Sequence, residues 1–216
     1  MVSNKEIVAF LKSKTVNAGF IDRLKIHYRP LICPFIPLFG YVKENDRVFD
    51  IGCGSGQFCL LLHKFTKPSS ITGIEISERL VNNARQLFSS EQVQIPFAFF
   101  TFDGKTFPPE LGQSDLVFLV DVLHHVPGKL QQDFLSGICK AMKPGARLVL
   151  KDINGASPLV LFNKLHDLVF ARETGKERSV AQASAMAEKA GFKIRATFKQ
   201  RVAVYPHYFI ELEKQA

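Results

Sequence analysis

The stretch Val48-Phe-Asp-Ile-Gly-Cys-Gly-Ser-Gly-Gln57 determines how the rest of the sequence is interpreted. Its first part is apolar, as in a buried parallel strand, and it ends in glycines at alternate positions, Gly52, Gly54 and Gly56. An amphipathic run follows at once, with apolar residues at helical spacing: Phe58, Leu61, Leu62 and Phe65. A strand, a glycine turn and a helix form the first unit of a doubly wound α/β fold, in which ligands bind beyond the carboxyl ends of the strands.

The rest of the chain repeats this alternation of strands and helices. Apolar runs predict further strands at 70–75, 97–102, 116–120 and 147–151, and helical periodicity predicts helices over 4–28, 57–65, 77–88, 129–142, 158–171 and 179–190. Two alternating stretches, 192–200 and 202–213, predict an antiparallel pair at the sheet edge. We therefore expect one α/β domain with a Rossmann-like, doubly wound sheet of seven strands, mostly parallel and ending in an antiparallel C-terminal hairpin.

The spacing of the glycines distinguishes between two kinds of cofactor. A dinucleotide-binding turn reads G-x-G-x-x-G, but Gln57 occupies the position of the third glycine. The pattern is instead Asp50-x-Gly52-x-Gly54-x-Gly56, followed by Glu75 at the end of the second predicted strand. This pattern resembles the class I S-adenosylmethionine-dependent methyltransferases, most strongly over 46–153. The expected cofactor is S-adenosylmethionine, and a nicotinamide-binding domain is the alternative.

The resemblance implies how the chain divides and which residues hold the cofactor. Residues 1–45 would form an N-terminal helical cap or lid, and 46–216 the methyltransferase domain. The cofactor-binding residues would lie at the ends of four strands. Asp50 and the turn residues Gly52, Cys53, Gly54 and Gly56 would hold the methionine part, and Glu75, followed by the further cofactor-binding residue Ile76, would accept from both ribose hydroxyls. Asp103 would accept from the adenine amino group, with Phe102 or Gly104 beside the ring, and Val120 and Asp121 would face the methyl end. Asp103 in a plain Asp-Gly turn is the structural alternative.

Methyl transfer from a sulfonium is an in-line displacement, so correct positioning supplies much of the catalysis. A general base is needed only if the acceptor loses a proton. The candidate bases, in order of preference, are His125, His166 and His124. His124 and His125 follow the fourth strand, where the acceptor must approach. The alternative to a catalytic role for His166 is a structural one. With Lys151, Asp152 and Asp167 it would form an ion-pair group that holds its helix in place.

Two observations bear on the acceptor. Residues 30–42 are apolar but broken by three prolines, so they either cover an apolar acceptor pocket or pack on the sheet. Three stretches, 119–127, 148–152 and 163–172, and the run beginning at His27-Tyr28-Arg29, resemble small methyltransferases that accompany aryl polyene and fatty-acid-like biosynthesis. That resemblance implies an aromatic acceptor, free or on an acyl carrier protein.

Composition and motifs bear on three further questions: a nucleic-acid acceptor, a metal site and the location of the protein. The net charge of +8 allows nucleic acid as a partner, but no Asn/Asp-Pro-Pro-Tyr/Phe motif follows the fourth strand, so a nucleic-acid acceptor is not expected. A magnesium site at Asp121, Asp152 and Asn154 lacks the adjacent Asp-Asn pair, and we expect no metal. The polar N-terminus, the absence of an apolar run of ~18 residues and the unpaired spacing of four cysteines predict a cytoplasmic protein without a membrane span. A cofactor-binding subunit without catalysis is the remaining alternative.

Overall fold

The structure is a computed structural model that describes residues 2–14, 33–157, 159–160 and 175–215. Within these ranges one mixed sheet has the strand order β3-β2-β1-β4-β5-β7-β6. The strands are β1 (Arg47–Ile51), β2 (Ser70–Glu75), β3 (Phe97–Thr101), β4 (Leu116–Val120), β5 (Arg147–Ile153), β6 (Phe192–Val202) and β7 (Tyr205–Lys214). The first five are parallel, and β7 runs antiparallel to both β5 and β6. The predicted α/β class and mixed seven-stranded sheet are confirmed.

Helices cover both faces of the sheet. They are α1 (Asn4–Ser13), α2 (Phe35–Phe39), α3 (Gln57–Phe65), α4 (Glu78–Ser90), α5 (Gln131–Ala141) and α6 (Val180–Lys189), with 3₁₀ turns at Pro109–Gln113 and Leu123–His125. Three helices begin at serine caps, because the side chain of Ser3 accepts from the Glu6 N–H, that of Ser77 from the Leu80 N–H and that of Ser179 from the Gln182 N–H. The predicted helix over 158–171 and the predicted helical residues 15–28 lie outside the described ranges. No helix within those ranges is both long and apolar enough to cross a membrane.

The core is divided by the sheet into two layers. β4 is buried along its whole length, as expected of a central parallel strand. On one face, α1 to α4 pack on alternate strand residues such as Val48, Phe118 and Phe209. On the other face, α5 and α6 pack on the intervening residues, such as Phe49 and Leu119. The carboxyl ends of β1, β2, β4 and β5 therefore remain at one edge, where the candidate site residues follow them.

The described part of the proline-broken segment belongs to the core. Phe35 stacks on Phe58 with 5.6 Å between ring centroids, and Phe39 stacks on Phe65 at the same separation. Over 33–42, this packing supports the second of the two alternatives for the segment. Residues 30–32 and the run His27-Tyr28-Arg29 lie outside the described ranges, so the cap over 1–45 stays a proposal.

The fifth strand is longer than the sequence predicts. β5 continues to Ile153 because its last residues pair with β7, with Asp152 opposite Tyr208 and Ile153 opposite His207. The strand therefore ends two residues later than the predicted 147–151. Because Asp152 lies within the strand, its side chain points to the opposite face of the sheet from that of Lys151.

Candidate functional site

The glycine turn is held against the neighbouring strand and is open at one position. The N–H groups of Gly52 and Cys53 both donate to the Ile74 carbonyl, at 2.8 and 3.0 Å. Gly54 has a φ of 54°, and a methyl group placed there would meet no atom of the described chain within 4 Å. At Gly52 the same methyl group would lie 2.3 Å from Val122 Cγ2. Gly54 is therefore the point where a ligand can approach the backbone closely.

Two buried residues, Asp50 and Cys53, support the glycine turn. Asp50 is only 2% exposed, and its Oδ2 accepts a hydrogen bond from the Cys59 thiol at 3.2 Å. Burial, reinforced by the charge of Asp50, raises the pKa of Cys59 well above its ordinary value, so the thiol stays protonated and can donate. Cys53 packs against β2, where a methyl group at Gly73 would lie 2.8 Å from its sulfur. Asp50 and Cys53 thus fix the shape of the turn.

Glu75 joins the end of β2 to the glycine turn. Its Oε2 accepts from the Gly54 N–H and its Oε1 from the Ser77 N–H, both at 3.1 Å. A carboxylate offers about four acceptor positions, so two hydroxyl donors can still be accommodated. The next residue, Ile76, is 72% exposed and places an apolar side chain at the same edge. The position of Glu75 next to Gly54 suits the predicted contact with a ribose.

The residues predicted beside the adenine divide into two groups. Asp103 is exposed, and its Oδ1 accepts from the N–H groups of Thr106 and Lys105, both at 2.7 Å. These hydrogen bonds lower the pKa of Asp103 and close the Asp-Gly turn. Phe102, in contrast, is buried and stacks on Phe107 with 4.9 Å between centroids. Phe102 is therefore a core residue, because its ring lies on the face covered by α5.

An ion pair occupies the end of β4. Lys151 Nζ lies 2.6 and 2.7 Å from the two carboxylate oxygens of Asp121, and Lys151 is fully buried. Burial alone would lower the pKa of Lys151, but the Asp121 carboxylate outweighs burial and raises it. Asp121 has a φ of 55°, a backbone conformation that this side-chain bond holds in place. Val120, just before it, is buried within the strand end.

The same contacts bear on the alternative of a magnesium site. A cationic ammonium group already contacts both oxygens of Asp121, and Asn154 Oδ1 accepts from the Ala156 N–H. In the described ranges no three His, Cys, Asp or Glu side chains lie close enough together to hold a metal ion. The donor set at this edge therefore does not fit a divalent cation.

The structure pairs one predicted histidine with an acid. His124 Nδ1 lies 2.5 Å from Asp152 Oδ1, the His124 N–H donates to Asp152 Oδ2, and both side chains are buried. His125 is exposed, and its ring centroid lies 4.0 Å from that of His124. His166 and Asp167 lie outside the described residues. Of the predicted group, Lys151 contacts Asp121 and Asp152 contacts His124, while the part that involves His166 stays a prediction.

Part of the chain is similar in sequence to known methyltransferases. Residues 48–145 match the model of a family described as a methyltransferase domain. The chain is 29% identical over 111 residues to 27-O-demethylrifamycin SV methyltransferase of Amycolatopsis mediterranei, covering 51% of this chain and 40% of that protein. It is 28% identical over 180 residues to carboxy-S-adenosyl-L-methionine synthase of Erwinia tasmaniensis, covering 80% of this chain and 72% of that one.

A solved structure supports the same assignment at the level of the fold. An S-adenosylmethionine-dependent methyltransferase from Methanosarcina mazei superposes with a TM-score of 0.68 at 20% identity, over 83% of this chain and 97% of that one. The chain spans less than half the length of the rifamycin relative. Residues 48–145 are therefore similar to a methyltransferase domain, and the fold is similar to that of an S-adenosylmethionine-dependent methyltransferase.

Proposed function

We propose that the protein transfers the methyl group of S-adenosylmethionine to a small aromatic or apolar acceptor, at oxygen or at a ring carbon. The observation that carries the proposal is the contact between Gly54 and Glu75. It places an open stretch of backbone and a carboxylate together at the carboxyl ends of two neighbouring parallel strands. Ligands of open α/β sheets bind at that edge. A cytoplasmic location belongs to the same proposal and is supported by four buried thiols that form no disulfide.

Each part of the cofactor has a candidate partner. Glu75 would accept from both ribose hydroxyls, and Asp103 would accept from the adenine amino group. The exposed side chain of Ile76 would contact the adenine ring. The methionine part would lie along the backbone from Gly52 to Gly56, with the turn supported by Asp50 and Cys53, and Val120 and Asp121 would face its methyl end. Gly104, with a φ of 83° and open space around it, would let the adenine approach the backbone after β3.

The reaction needs one nucleophile and one proton acceptor. A lone pair on the acceptor oxygen, or a π electron pair at the ring carbon, attacks the methyl carbon, the carbon–sulfur bond breaks, and its electrons return to sulfur, which becomes a neutral thioether. An unperturbed phenol has a pKa near ~10, so a base must take its proton near neutral pH. The His124–Asp152 pair has the geometry of an oriented base: a carboxylate at Nδ1 fixes the tautomer and leaves Nε2 as the basic nitrogen. His125 and His166 stay candidates.

Two features support the choice of a small acceptor. The rifamycin relative is named for methylation of 27-O-demethylrifamycin SV rather than of a macromolecule. The stretch after β4 that begins at Asp121 does not contain the motif typical of nucleic-acid amino-group methylation. A net charge of +8 would also suit an acceptor on an acidic acyl carrier protein, which we include in the proposal.

A second candidate function is chemistry on the cofactor itself. It is favoured by the alignment with carboxy-S-adenosyl-L-methionine synthase, which covers 80% of this chain. That function would modify S-adenosylmethionine without a separate methyl acceptor. The two candidates differ in where the methyl group is found after turnover.

Methyl-labelled S-adenosylmethionine, incubated with the protein and a lysate of its source organism, tests the proposal. We expect the label in a small molecule that organic solvent extracts, or on a small acidic protein. Label that stays on a heavier form of the cofactor supports the second candidate instead. Label in nucleic acid, or cofactor binding with no turnover in any fraction, contradicts the proposal.

A further inference from the structure

One buried amide connects three parts of the chain near the His124–Asp152 pair. Gln131, the first residue of α5, is fully buried. Its Nε2 lies 2.8 Å from the Leu123 carbonyl, 3.1 Å from the Val126 carbonyl and 3.0 Å from the Lys176 carbonyl. Its Oε1 accepts from Arg178 Nε at 2.6 Å. The amide nitrogen and the amide oxygen of Gln131 thus both have hydrogen-bond partners. A buried amide bonded in this way resists movement of the groups that it contacts.

The strap, which we define as residues 175–178, is fixed by the same contacts. The Lys176 N–H donates to the His124 carbonyl at 2.7 Å. The Arg178 guanidinium donates through Nη2 to the Gly128 carbonyl at 2.9 Å, and the Arg178 carbonyl accepts from the Gly155 N–H at 3.0 Å. The strap therefore lies between the turn after β4 and the turn after β5.

The geometry bears directly on His124. The carbonyls of Leu123 and Val126, on either side of it in the chain, both accept from Gln131, and its own carbonyl accepts from the strap. Its ring is bonded to Asp152 on β5. If the Gln131 donors are removed, buried carbonyls lose their partners and the turn has to move to find others.

We propose that Gln131 is a positioning residue that holds His124 in its orientation against Asp152 by fastening the turn after β4 to the strap. This proposal rests on the proposed function, because the orientation of His124 matters to catalysis only if His124 is the base. Gln131 itself does not contact the reacting atoms in this account. It acts through the backbone around His124 and through Arg178.

The test compares Gln131→Leu with Gln132→Leu. Gln132 is the next residue on α5, and its amide donates to a single carbonyl, that of Met186 on α6, at 3.1 Å. Nitrogen NMR of the histidine rings, with His124 assigned through His124→Gln, reports the tautomer and the titration of His124. Hydrogen exchange at the Lys176 amide reports the strap. Both are measured on the full chain with and without S-adenosylhomocysteine.

We expect Gln131→Leu to shift the His124 ring signals and its titration midpoint, and to speed exchange at Lys176 by about tenfold or more. Gln132→Leu should leave both as in the wild type. Arg178→Met removes the hydrogen bonds from the Arg178 side chain to Gln131 and Gly128 but keeps Gln131. It should give the same change, and it serves as the test if Gln131→Leu does not fold. Unchanged His124 signals in folded Gln131→Leu and Arg178→Met overturn the proposal. Failure of S-adenosylhomocysteine to bind the wild type overturns the proposed function alone, because the His124 signals are read without it.

Discussion

Lys151 and Asp121 form a two-pronged ion pair at the end of β4, with the ammonium nitrogen 2.6 and 2.7 Å from the two carboxylate oxygens. Lys151 lies in register with Val120, so its side chain reaches the first residue beyond the neighbouring strand. The lysine side chain is fully buried and that of Asp121 is 23% exposed. The pair fixes the residue that would face the methyl end of the cofactor.

Removing one partner of this pair should be costly. Lys151→Met leaves the Asp121 carboxylate without its buried counter-charge, and such changes typically cost about 3–5 kcal/mol of unfolding free energy. Lys67→Met is the control, because Lys67 and Glu44 form an exposed pair whose loss should cost less than about 1 kcal/mol. Urea unfolding of both variants measures the difference. Equal losses would contradict a stabilising role for the buried pair.

Stability should fall in acid partly through the same pair. Burial by itself raises the pKa of Asp121, but the charges of Lys151 and His207 outweigh burial and hold it below its usual value. A carboxyl group with a folded pKa below its unfolded value of ~3.9 adds stability above that pH and loses it as the pH falls through the folded value. Urea unfolding is measured for the wild type and Asp121→Asn near neutral pH and in acid. The advantage of the wild type should shrink below a pH of ~4; an advantage that persists in strong acid would contradict this assignment.

The alternation of apolar runs and glycine turns predicted the sheet and the order of its strands and helices. This was possible because a buried strand and an amphipathic helix each have a local pattern of apolar residues. It also predicted Glu75 at the glycine turn, since residues at the ends of neighbouring parallel strands meet. The partner of Lys151 could have been found from the register of β4 and β5. Gln131 could not, because nothing in its local sequence distinguishes it from the next glutamine on the same helix. The stacking of Phe102 on Phe107 could not be predicted either, because the sequence does not fix which face of the sheet the ring takes after β3 ends.

The open space at Gly54 gives a steric prediction. Gly54→Val should abolish binding of S-adenosylhomocysteine, because a branched side chain would fill the space that the ligand needs. Gly145→Val is a matched control: Gly145 also has a positive φ, 74°, with no described atom within 4 Å of an added methyl group, but it lies at the opposite end of the sheet. Both variants carry the same backbone strain. Calorimetry on the folded proteins should show binding lost only in Gly54→Val, and loss in both would attribute it to strain.

The histidine pair gives a kinetic prediction. His124→Ala should lower turnover about a hundredfold or more while cofactor affinity is kept, if the acceptor loses a proton to this residue. His63→Ala is the control, because His63 lies on α3 away from Asp152. Initial rates with the acceptor identified by methyl labelling are measured over a range of pH, together with His125→Ala and His166→Ala. Full turnover in His124→Ala, His125→Ala and His166→Ala would mean that positioning of the substrates suffices for catalysis and that the base assignment is wrong.

Calorimetry with S-adenosylhomocysteine and NAD tests whether Glu75 and the glycine turn hold S-adenosylmethionine. Hydrogen bonds to a charged acceptor contribute about 1.5–3 kcal/mol, so Glu75→Ala should bind S-adenosylhomocysteine about ten- to a hundredfold more weakly. Glu78→Ala, which changes an exposed acid in the first turn of α4, should bind as the wild type does. We expect binding of S-adenosylhomocysteine, loss of affinity only in Glu75→Ala, and no binding of NAD. Tight binding of NAD, or an unchanged affinity in folded Glu75→Ala, would contradict this expectation.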